Sequence, residues 1–158
     1  MTWRVKMHAG AAELIPELGA WNDGRGIDLE SWANAVGRYD FAIAYATIFW
    51  PDFVIHDDCV FRYDPDGKNY EDWMKSLEGD RARVEHVMNH LHIMDMFISE
   101  GFEPTDRFVI HVAELLKNMW SCKLARDFPQ RSFQIEIYEG TPDDLLGYEI
   151  TFFQKRAT

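Results

Sequence analysis

Asp80-Arg-Ala-Arg-Val-Glu-His-Val-Met-Asn-His-Leu-His-Ile-Met-Asp-Met-Phe-Ile-Ser99 is the stretch from which the fold is read. Val84, Val87, Met88, Leu91, Met94 and Ile98 recur at the i, i+3, i+4, i+7 spacing of one helical face. Asp80 is placed to cap the start, and Gly101 follows the end. A second stripe, His86, His90, Ile93 and Phe97, runs along another side. The spacing therefore predicts a helix over 81–99 that neighbouring elements cover on two sides.

Outward from this segment, helices and strand pairs alternate. Asp28 can cap a helix over 28–49, whose second half, Phe41 to Phe49, has almost no polar face and is expected to be central. Pro51 stops it. Residues 53–56 and 59–62 are short β-rich runs around Asp57-Asp58, a hairpin pattern with an open turn type. Asn69 can cap a short helix over 70–77. A helix over 106–126 carries Phe108, Val109, Val112, Leu116, Met119 and Trp120 on one face. Residues 132–138 and 148–154 alternate with period two, as strands with one wet face do. Thr141 can open one helical turn between them. Residues 1–27 hold at most a short helix broken at Pro16. The expected fold class is α+β: an antiparallel sheet built from two hairpins, with three long helices packed on one side. No linker or repeat divides the chain, so residues 1–158 read as one globular domain.

A chain of this length buries roughly 70% of its unfolded surface and needs neither disulfide nor metal to fold. Cys59 and Cys122 fit no spacing motif and read as reduced thiols. No secretory signal and no membrane-spanning run is evident, which predicts a cytoplasmic protein. The net charge of −11 disfavours nucleic acid as a partner. Its excess is concentrated in residues 52–80, where nine acids face three bases. Such a field suits a basic protein partner. Asp57, Asp58, Asp64, Asp66, Glu71 and Asp72 are the candidate contact residues, on elements expected to leave their charges solvated.

Catalytic signatures are missing: no G-x-S-x-G, no G-x-x-x-x-G-K-S/T, no G-x-G-x-x-G. The acids of 64–72 do not fit an EF-hand, because Asn69 falls where glycine is required. His86 and His90 stand i, i+4, a spacing that brings two imidazoles to one ion. The zinc-protease glutamate is replaced by Val87, and His92 projects from another helical face. A third ligand would have to come from His56, Asp57, His111 or Glu114. The sequence therefore predicts no metal and no cofactor. Its leading reading is a non-enzymatic, protein-binding module of inhibitor or neutralising type. The alternatives are a metal-dependent enzyme centred on His86 and His90, and a protein with an aromatic-lined pocket for an apolar small molecule.

Overall fold

A computed structural model describes residues 10–97, 104–141 and 147–156. The chain divides into two compact units, Met1–Ala46 and Thr47–Thr158. The expected turn at 141–144 lies mostly outside the described residues, as do Ile98 and Ser99.

In the first unit, two 3-10 turns, Ala11–Leu14 and Pro16–Ala20, lead into a single turn α1, Trp21–Gly24. Helix α2 spans Leu29–Val36 and is capped by Asp28, whose carboxylate accepts from the Ser31 N–H at 3.0 Å. Helix α3 spans Tyr39–Phe49 and continues into the second unit. The single helix expected over 28–49 is thus two, and the break is local in origin. Gly37 turns to an extended conformation while its N–H still bonds the Ala33 carbonyl. A Cβ at this position would collide with that carbonyl, so only glycine fits. The Arg38 guanidinium then pairs with Asp40 and lies 4.3 Å from the Phe41 ring centre, fixing the start of α3.

The second unit is antiparallel throughout. β1 (Val54–His56) and β2 (Cys59–Phe61) form a two-stranded hairpin. β3 (Leu91–His92), β5 (Glu149–Gln154) and β4 (Phe133–Tyr138) form a three-stranded sheet with β5 in the middle. The fold is α+β, with the two strand pairs in separate sheets. Asp57 and Asp58, the two turn residues of the hairpin, both have positive φ, as a type I′ turn requires. Helix α4 spans Gly67–Ser76; Asp66 rather than Asn69 caps it, accepting from the Lys68 and Asn69 N–H groups. Helix α6 spans Asp106–Asp127.

Two cores result. Val109, Ala113, Leu116, Trp120 and Leu124 of α6 pack with Ile150 and Phe152 of β5 and with Val60. Cys59, Phe61, Tyr70, Val84 and Met88 form the other. β2 is buried on both sides because its alternate residues serve different cores.

Helix α5 spans only Arg81–Met88. Asp80 caps it as expected, accepting from the Arg83 N–H at 3.1 Å. Its early stop has a tertiary cause. A helix leaves its last four carbonyls without internal partners, and here side chains take them. Thr151 Oγ1 donates to His86 O, Tyr63 OH to Met88 O and Arg62 Nε to Asn89 O, while His90 Nδ1 meets Val87 O. Leu91 and His92 then pair with Ile150 and Glu149 as a strand.

The buried face of α5 is partly polar, a feature that periodicity does not reveal. Glu85 and Asn89 are both fully buried. Glu85 accepts from Val60 N at 2.7 Å and Gln154 N at 2.8 Å, and from the Gln154 carboxamide. Asn89 donates to Val60 O and Phe152 O and accepts from Arg62 N. β3 covers β5 only at residues 149 and 150. Beyond that point α5 supplies two side chains where a further strand would stand, tying the β1–β2 hairpin to the three-stranded sheet. α5 therefore lies between the sheets, while α6 covers the face bearing Ile150 and Phe152.

Candidate functional site

The six acids read as partner contacts meet different fates. Asp57 accepts from Tyr70 OH and from Arg81 Nη2, each at 2.8 Å. Those two donors, the tyrosine first, hold its carboxyl below the usual range. Asp58 pairs with Arg156 at 2.6 Å and Arg131 at 3.0 Å, and the Arg156 hydrogen bond is the main reason its pKa is lowered. The hairpin tip is expected to keep its charges at the surface rather than in the core; they lie there, half-exposed, and are also ion-paired to arginines of the same chain. Asp66 is committed to capping α4. Asp64, Glu71 and Asp72 remain exposed on the surface.

The histidine pair is also regrouped. The i, i+4 geometry expected for His86 and His90 does not form, because α5 ends between them. His86 lies at the sheet face, where its Nε2 is 2.8 Å from Tyr138 OH and 3.6 Å from Glu136 Oε2. Tyr138 donates to Glu136 at 2.6 Å, and that bond pushes the phenol up to about 12. His90 instead meets His92: their Nε2 atoms are 3.1 Å apart. His92 was assigned to another face on helical periodicity; as a β3 residue it lies opposite Glu149, with its Nδ1 3.2 Å from Glu149 Oε1. Among the described residues, His90, His92 and Glu149 are the group whose ligand atoms converge as a metal site requires. His56 packs on the Tyr70 ring, 4.7 Å between centres, and His111 has its Nε2 buried without a hydrogen bond among the described residues. Neither these two nor Asp57 or Glu114 joins that group.

Sequence reasoning placed the apolar run of α3 at the centre of the molecule. That is corrected here: α2 and α3 hold no buried residue, and every position from Ala33 to Thr47 is exposed. Tyr39 is 94% exposed, Ile43 72%, Phe41 47% and Val36 44%. The run signals a need for apolar cover; among the described residues of the first unit the buried hydrophobics are Ala11 and Leu18. A groove of about 270 Å³, lined by Ala33, Asn34, Gly37, Arg38, Tyr39 and Ala42, lies between the two helices. Ile48 and Phe49, at the end of α3, belong to the second unit and pack on its large core.

Among the described residues, Ile93, Met94, Pro104, Phe108, Val109 and Val112 line an apolar hollow of about 130 Å³, and Ile110, Ile135, Ile137 and Tyr138 are among those lining a more polar cleft of about 450 Å³. No described helix is long and apolar enough to cross a membrane. No protein-family model, curated protein or solved structure matches the chain.

Proposed function

We propose that this chain is a small acidic intracellular protein that works by binding another protein rather than by catalysis, as an inhibitor or neutralising partner. The α2–α3 helices are the docking surface. The observation that carries this reading is that α3 leaves large apolar side chains exposed on opposite faces, Tyr39 and Ile43 on one and Phe41 and Tyr45 on the other. A helix apolar all round calls for cover, which a partner would supply. Aromatic anchors beside a shallow groove are typical of the residues that dominate binding energy. The net charge of −11 favours a basic partner and speaks against nucleic acid. With Asp57 and Asp58 already paired, the steering field comes from acids such as Asp64, Glu71 and Asp72, so salt slows association without abolishing it.

The test is a photo-crosslinking residue placed at Ile43 in cells that make the protein, followed by affinity measurements with the purified crosslinked partner. The reading predicts one defined basic partner, with affinity reduced at least tenfold by Ile43→Asp or Phe41→Asp. Crosslinks confined to the chain itself, or a partner bound equally well by both variants, would contradict it.

A further inference from the structure

We propose that His90 and His92 chelate a divalent transition-metal ion of the zinc type through their Nε2 atoms, with Glu149 orienting the second ring. This site lies in the second unit and is independent of the docking surface.

The outer contacts of the two rings fix which nitrogens carry protons. His90 Nδ1 lies 3.1 Å from Val87 O, a carbonyl that can only accept, so Nδ1 is the protonated nitrogen. His92 Nδ1 lies 3.2 Å from Glu149 Oε1, and an ionised carboxylate imposes the same tautomer. Each ring is then left with a lone pair on Nε2. Those two atoms face each other at 3.1 Å, with ring centres 4.8 Å apart and planes at 82°. Two lone pairs at that distance repel unless a proton or a metal ion lies between them.

A tetrahedral metal with Zn–N bonds of about 2.0–2.1 Å sets its two nitrogens roughly 3.3–3.4 Å apart, within a few tenths of an ångström of this spacing. The outer contacts fit as well. Metal-binding histidines commonly donate their second N–H to a carbonyl or carboxylate, which fixes the ring and strengthens the ligand. Both partners are present here, and they come from rigid positions: Val87 from the last turn of α5, Glu149 from the central strand directly opposite His92. Imidazole donors select zinc, copper, nickel or iron over calcium or magnesium. His90 is exposed and the His92 and Glu149 side chains are about one-third exposed, so the remaining positions of the ion are open to water. Bound there, the metal would pin the strand that follows α5 to its end.

Calorimetry and equilibrium dialysis with zinc chloride on tag-free protein test this. The wild type should bind one zinc ion. His90→Gln and His92→Gln should each weaken binding at least tenfold, and Glu149→Gln by about tenfold. His86→Gln should leave the affinity within twofold, since His86 belongs to the Tyr138–Glu136 group. Because His90→Gln also removes a helix-end hydrogen bond, nitrogen NMR on the wild type gives a second reading. Zinc should shift Nε2 of His90 and His92 and spare His86. The inference fails if no saturable zinc binding occurs below about 1 mM, or if binding survives loss of both histidines. It fails equally if His86→Gln weakens binding as much as the other two, or if a shared proton between the rings resists displacement by zinc at neutral pH.

Discussion

Replacing Glu85 by alanine should cost this protein a large part of its stability. Glu85 is fully buried, and its two oxygens accept from Val60 N, Gln154 N and the Gln154 carboxamide, with Arg156 Nη2 3.6 Å away. Alanine leaves the two backbone donors without an acceptor in a site that excludes water. Each such orphan costs roughly 1–3 kcal/mol, or about 2–6 kcal/mol for the two. Relief of carboxylate desolvation offsets part of that, and Arg156, partly exposed, keeps its pair with Asp58. We therefore expect about 3–5 kcal/mol, against a total stability of order 5–15 kcal/mol for a domain. At about 2–4 °C per kcal/mol for a chain of this size, the melting temperature should fall by roughly 10–15 °C. Glu85→Gln keeps one accepting oxygen and should lose about half as much. Urea unfolding followed by tryptophan fluorescence measures both. A loss below about 1 kcal/mol in the alanine variant would refute the view that α5 bridges the two sheets through this side chain.

Three further outcomes follow from the same geometry. Cys59 is fully buried and its thiol is pushed up to about 11, chiefly by burial and then by Glu85, whereas Cys122 is exposed; a thiol reagent at pH 8 should titrate one group per native chain and two in urea. Asp58 has a folded-state pKa held below its unfolded value, so its pairs with Arg156 and Arg131 stabilise the fold above about pH 4 and lose that effect as the pH falls through the folded pKa. The difference in urea midpoint between wild type and Asp58→Asn should accordingly be largest near pH 7 and shrink as the pH is lowered below about 4, and a pH-independent difference would contradict the pairing. Asn89→Ala should also destabilise, because Val60 O, Phe152 O and Arg62 N lose their partner together; urea unfolding should show a loss of about 2–4 kcal/mol.

Local periodicity made much of the second unit legible. The alternation in Phe133–Tyr138 and Glu149–Gln154 marks them as strands, and they pair in register; the wet face it predicts is missing from β5, where Thr151 and Gln154 are buried along with Ile150 and Phe152. The Asp28 and Asp80 caps were readable because a cap bonds within three residues of itself. The stop after Met88 was not, because the donors that take its terminal carbonyls come from Arg62, Tyr63 and Thr151, far away in sequence. Reading the helix too far put His92 on the wrong face and hid its approach to His90. Glu85 and Asn89 escaped notice for a related reason. A polar residue gives no periodic sign of burial when its partners are backbone groups of another strand. In α3 the apolar run was plain, but composition signals only that cover is needed, not what supplies it.

The claim that α3 is a docking surface can be met without knowing the partner. Hydrogen exchange read by mass spectrometry on the purified chain compares amides of 40–46 with those of 109–124 in α6, whose Val109, Ala113, Leu116 and Trp120 are buried. A helix with few buried apolar contacts opens at low cost, whereas a core helix opens only near the global unfolding free energy. The account predicts exchange in 40–46 at least about a hundredfold faster than in α6. Equal protection in the two helices would show that the chain already covers Phe41 and Ile43 itself, and would contradict it.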